Sequence, residues 1–173
     1  MKHELSYGNE TFTYEPHDSK FQGAYGRIFI NEGKSLAIKV FKVDHEDNTE
    51  KRKTYIHETF NNECEAYELA SNCSDSKDYI PCFYGKSPIN GDIKDQDSNI
   101  VNNQYYVEYA YRMEFIDGSF IKLADSNSAN KDEICGIFSN LGIKNIKDSS
   151  VVITDGRISK LVDFSMKEIE YFI

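Results

Sequence analysis

No stretch of the 173-residue sequence is apolar enough to span a membrane. The first residues, Met1-Lys2-His3-Glu4-Leu5-Ser6-Tyr7, carry no signal-like apolar core. The four cysteines, Cys64, Cys73, Cys82 and Cys135, include no Cys-x-x-Cys pair. His3, His17, His45 and His57 do not join them at zinc-ligand spacing. That argues against a zinc module and for thiols kept in a reducing compartment. Positive charge is also scarce: 20 Lys and Arg stand against 29 Asp and Glu, and the net charge of −9 disfavours nucleic acid or an anionic membrane as the main partner. These absences predict a soluble, cytoplasmic protein. The length allows one domain, or one and a small piece, with a real core.

The most informative stretch is residues 21–41. Gly23 and Gly26 flank an aromatic, Tyr25, expected to be exposed, between two extended runs. Glycine lets backbone N–H groups approach a ligand closely, and phosphate is the usual ligand of such a cradle. Lys39 then stands alone in the apolar run Leu36-Ala37-Ile38-Lys39-Val40-Phe41. A buried ammonium needs a partner. Taken alone, a hairpin glycine and a surface lysine account for these residues equally well.

Further along, Phe12 and Tyr14 fall on one face of a first strand. Asp47, Asn48 and Thr49 are candidate caps for a helix over residues 49–71. Ile56, Phe60, Cys64 and Tyr67 form one face of that helix, and Glu63 lies on it too. Either Glu63 answers Lys39 or it is a solvated helix residue. Residues 82–85 read as a short strand, 86–103 as a long hairpin loop and 104–115 as an aromatic strand. Residues 119–125 read as a short helix. Residues 131–141 read as an amphipathic helix bearing Ile134, Ile137, Phe138 and Leu141, stopped by Gly142. Asp155-Gly156 joins two strands as a hairpin, the second ending at Asp163-Phe164-Ser165.

In this order, the glycine turn, Ala37-Ile38-Lys39, Glu63, Met113-Glu114-Phe115-Ile116-Asp117-Gly118 and Asp163-Phe164-Ser165 resemble the protein-kinase pattern. The resemblance covers roughly residues 20–165. It implies an α+β, kinase-like fold: a five-stranded antiparallel N-lobe sheet with helix C over residues 1–117, and a truncated C-lobe remnant over residues 118–173. It implies ATP and Mg²⁺ as ligands. Gly23, Tyr25 and Gly26 would cover the phosphates, Lys39 would bind them while pairing with Glu63, and backbone groups at Glu114 and Ile116 would meet the adenine. Asp163, with Ser150, would hold the metal. Without the resemblance, residues 113–118 are a strand ending in an Asp-Gly turn, and Asp163 is an acid at a strand end.

The match departs from the family at several points. Phe21 replaces the first glycine of the loop, and Ser165 replaces the glycine after Asp-Phe. Counting back from Asp163 puts Asn145 at the catalytic-base position, Ser150 at the second metal ligand and Lys147 at the lysine that touches the γ-phosphate. Asn cannot accept a proton near neutral pH. A shift of three makes Asp148 the base but shortens the spacing to Asp163. Only eight residues follow Ser165, with no counterpart of an activation segment. Three readings follow: a minimal kinase transferring phosphate to protein Ser or Thr, a pseudokinase serving as an interaction module, and a small non-kinase α+β protein. Stripped-down kinases occur among phage proteins and secreted bacterial effectors, so by analogy the protein would be made in, or delivered into, a host cell.

Overall fold

A computed structural model describes residues 1–15 and 25–171. They form two compact units. One comprises Met1–Phe60 with Tyr84–Phe115, and the other Asn61–Phe83 with Ile116–Ile173. Residues 61–83 group with the second unit, apart from the segments that precede and follow them in the chain.

The first unit is built on a sheet. Its strands are β1 (His3–Tyr7), β2 (Glu10–Tyr14), β3 (Gly26–Asn31), β4 (Leu36–Lys42), β5 (Phe83–Lys86), β6 (Ile93–Asp95) and β7 (Tyr105–Glu114). Their order is β5-β7-β4-β3-β2-β1-β6. The expected five strands are thus seven. The first residues add β1, and β6 arises inside the stretch read as loop, pairing Leu5 with Ile93 along the outer side of β1. Ile93 is fully buried there, and the added strand covers what would be an open edge. Phe12 and Tyr14 share one buried face, as alternation predicts, with Leu5, Phe29, Ile38 and Ala110. Helix α1 (Glu50–Ser71) follows β4. Of its three candidate caps, Thr49 is used: its Oγ1 accepts the N–H of Arg52 at 3.1 Å.

In the second unit, α1 continues through the buried Cys64 and Tyr67. Strands β8 (Phe120–Lys122), β9 (Ser150–Thr154) and β10 (Arg157–Val162) form a three-stranded sheet in the order β10-β9-β8. Helix α2 (Lys131–Asn140) crosses before β9. Residues 119–125 are not a helix. They pair as β8 with β9 and then make one 3-10 turn, Leu123–Asp125, because backbone pairing to Val151 and Val152 outweighs local propensity. Ile134 and Phe138 are buried on α2, whereas Ile137 and Leu141 are only half-buried. Gly142 (φ +77°) ends the helix with paired bonds: its N–H reaches Ser139 O at 3.0 Å, and the Ile143 N–H reaches Phe138 O at 3.1 Å. Asp155 and Gly156 both take positive φ, 52° and 74°, as the tight turn between β9 and β10 requires. Buried Asn130 fastens α2 to β10, accepting the Ile158 N–H at 2.7 Å and donating to its carbonyl at 3.1 Å. Among the described residues, no helix is long and apolar enough to cross a membrane.

His3 sits in the core of the first unit with 1 % exposure. Its Nδ1 shares a hydrogen bond with the Tyr105 hydroxyl, which also accepts Arg27 Nη1 at 2.7 Å. Burial, then Arg27, then the amino terminus push the His3 pKa below its ordinary 6.5, with Asp95 opposing. The unfolded chain therefore takes up the proton first. The stability that His3 contributes is complete above pH 6.5 and falls as pH drops toward the depressed folded value. In urea titrations, unfolding free energy should decline over this window in the wild type and decline less in His3→Gln. Equal slopes would place the acid sensitivity in another group.

Candidate functional site

In the first unit, Lys39 lies in the middle of β4 between Ile28 of β3 and Tyr111 of β7. Neighbours on both sides of the strand are buried, and Lys39 itself is only 8 % exposed. Its ammonium stands over two rings, 5.1 Å from the centroid of Phe41 and 5.7 Å from that of Tyr111. Phe60 of α1 meets Phe41 edge-on and stacks with Tyr111. Aromatic faces attract a cation by about 0.5–2 kcal/mol each, which offsets part of the cost of burying the charge.

Gly26 belongs to this arrangement. It pairs with Phe41, and a Cβ there would come within 3.0 Å of Lys39 Cε and 3.3 Å of Lys39 Cγ and Val40 O. Its smallness makes room for the lysine stem, a role not legible in the bare glycine spacing. Tyr25 is half-buried, contrary to the expected exposure. Its ring meets Tyr55 edge-on at 5.5 Å, with the Arg52 guanidinium over both. Burial and the neighbouring Tyr25 push the Tyr55 hydroxyl up to about 12. Gly23 lies outside the described residues. Glu114 closes β7 opposite Leu36, and half-buried Ile116 opens the later segment of the second unit.

In the second unit, the turn after β10 is held at several points. Asp163 adopts φ 63°, a left-handed conformation that costs a non-glycine residue about 1–2 kcal/mol. Its N–H donates to the Tyr67 hydroxyl at 3.3 Å, and its carbonyl accepts the Ser149 hydroxyl at 3.2 Å. Phe164 is buried between Tyr67, at 4.3 Å, and Phe138, at 5.2 Å. Ser165 then forms an isolated bridge with Asn145: the backbone groups exchange hydrogen bonds at 3.1 and 3.2 Å, and Asn145 Nδ2 donates to Ser165 Oγ at 2.8 Å.

Tyr67 is the residue that pattern reading left in the core. Its hydroxyl is pushed well above the ordinary tyrosine value, first by burial and then by the Asp163 and Glu63 carboxylates. Both acids therefore lie near one neutral phenol. The available signal was a tyrosine, rather than leucine, at a buried helix position four residues after Glu63, since a buried hydroxyl needs a partner. Lys147 is exposed and paired with Glu168 at 3.3 Å. Asp148 is exposed, and its carbonyl accepts Lys122 Nζ at 2.8 Å. Ser150 opens β9, opposite Val162 on one side and Lys122 on the other.

Among the described residues, no group of three or more His, Cys, Asp or Glu side chains could by itself hold a metal. A protein-only cage is not what Mg²⁺ requires. It usually takes one or two carboxylates, with phosphate oxygens and water completing its shell. At Asp163 the hydrogen bonds fix the backbone, and the side chain is exposed.

The contact between Gly26 and Lys39 is open to a double-mutant cycle. Gly26→Ala should destabilise the protein by about 1–3 kcal/mol, as overpacking does. The cost should shrink when Lys39→Ala is also present; additive effects would mean that the two side chains do not compete for space. Compared with known proteins, the chain matches no family model, no curated protein and no solved structure.

Proposed function

We propose that this chain is a minimal kinase-like protein that binds Mg·ATP, with phosphate transfer to protein Ser or Thr as its reaction. Asp163 carries the reading. A non-glycine residue is held in a costly left-handed turn at the end of β10, with hydrogen bonds to both its N–H and its carbonyl. Asp155 takes a similar φ in a plain hairpin turn, and what sets Asp163 apart is that side chains from two other segments hold both of its backbone groups. Lys39, buried mid-sheet beside a glycine that gives it room, supplies the second element.

In this reading Lys39 binds phosphate oxygens and Asp163 holds the divalent ion. The nucleotide, when bound, supplies the phosphoryl group and the metal charge that neutralises it. Transfer breaks the bond from the γ-phosphorus to the ADP oxygen, forms one to the acceptor hydroxyl oxygen, and releases the hydroxyl proton to solvent. The transition state is loose, so positioning and charge matter more than a base. One observation favours the second reading, a pseudokinase acting as an interaction module. The Asn145 amide is committed to Ser165, so the position expected to carry the base is engaged in holding structure.

Titration of Mg·ATP into the purified protein tests the first reading. At a hundredfold excess over the dissociation constant, native stability should rise by about 2.7 kcal/mol. Lys39→Met and Asp163→Asn, both shape-conserving, should remove the gain. Absence of stabilisation at millimolar nucleotide would overturn nucleotide binding. Binding without transfer of label from γ-labelled ATP to casein would select the interaction module.

A further inference from the structure

The two departures from the kinase pattern nearest the metal position, Asn145 and Ser165, are not independent. They face each other across one bridge, and the side chain of the first donates to the side chain of the second. Ser165 Oγ passes the chain on, donating to Lys167 O at 3.1 Å. Either side of this pair the backbone is also tied. The Lys144 N–H reaches Met166 O at 2.9 Å, and the Met166 N–H reaches Asn62 O on α1 at 3.3 Å. At the other end of the same three residues, Tyr67 and Ser149 take the two backbone groups of Asp163. Phe164, buried between two rings, stops the turn from rotating about its middle.

We propose that Tyr67, Ser149 and the Asn145–Ser165 pair form one clamp that holds Asp163 in its left-handed conformation, aiming its carboxylate at a nucleotide-borne divalent cation. Tyr67 and Asn145 are then positioning residues, and Asn145 has exchanged proton transfer for anchorage. The inference rests on the nucleotide reading above, and it adds how the metal-binding side chain is kept in place.

The mechanism follows from the hydrogen-bond inventory. The N–H and C=O of Asp163 lie past the last ladder pair of β10, and each takes a side-chain partner from another segment. The Tyr67 hydroxyl is an acceptor that phenylalanine lacks. Because the Ser165 hydroxyl proton goes to Lys167 O, its oxygen accepts from the Asn145 amide, and a carboxylate at that position has no proton to give. Partners of a metal-binding side chain set its orientation, and their loss typically weakens metal binding.

The test uses the full chain and calorimetry of ATP with Mg²⁺ or with EDTA. The readout is the ratio of the two affinities, which isolates the cation's share of binding. Tyr67→Phe keeps the ring packed against Phe83 and Phe164 and deletes one oxygen. Asn145→Ala and Ser165→Ala remove the pair, and Ser165→Thr keeps the hydroxyl. In Tyr67→Phe, Asn145→Ala and Ser165→Ala the tightening by Mg²⁺ should fall roughly tenfold, the lower end of what losing such a partner costs. Affinity for metal-free ATP should be unchanged, and Ser165→Thr should retain the wild-type ratio. An unchanged ratio in all variants overturns the clamp while leaving nucleotide binding intact. Equal loss with and without Mg²⁺ also overturns it, by reducing these residues to fold stability. A wild type that fails to bind ATP refutes the nucleotide reading and the cation role together. A wild type whose ATP affinity ignores Mg²⁺ refutes the assignment of Asp163.

Discussion

Strand β4 is buried on both faces, and that constraint governs the first unit. Residues 37–41 are all nearly inaccessible to water. Ile38 and Val40 join the core made by β1, β2, β3 and β7, while Lys39 and Phe41 face the aromatic side that Phe60 of α1 completes. A lysine in such a strand would ordinarily be exchanged for an apolar residue. Here the chain spends a glycine in β3 and two aromatic faces to accommodate it.

The second unit works by a different economy. Around its buried residues, polar side chains fasten the irregular segments. Asn130 holds the start of α2 to β10, and Lys160 donates to the carbonyls of Asp78 and Ile80 at 3.1 Å each. Asn145, Ser149 and Tyr67 fix the turn that follows β10. Each replaces a ladder bond that irregular backbone cannot make with itself. The result is an irregular segment held by named donors and acceptors together with the buried Phe164 ring.

What was legible in the sequence was local. The buried face of α1, the Thr49 cap among its candidates, the Gly142 stop and the Asp155-Gly156 turn all depend on residues within a few positions of one another. Strands β6 and β8, three residues each, were not legible, because their existence depends on partners far along the chain. The site divides the same way. Lys39, Glu63 and Asp163 stood out as charges in apolar surroundings. The role of Gly26 depends on cross-strand register, the Tyr67 hydroxyl on a turn far down the chain, and the Asn145–Ser165 pair on a bridge between two loops. Periodicity carries no information about any of these.

The pairing of β1 with β6 also bears on how the protein is made. β1 ends at Tyr7, and its outer partner begins at Ile93. Strand β7, which lies between β4 and β5, comes later still. At about 5–20 residues per second of synthesis, the first hairpin waits on the order of ten seconds with its outer edge unpaired. The amino-terminal strands must therefore stay uncommitted until the middle of the chain emerges. The sheet is completed late and over long sequence separations, which are the conditions under which β-rich units fold slowly.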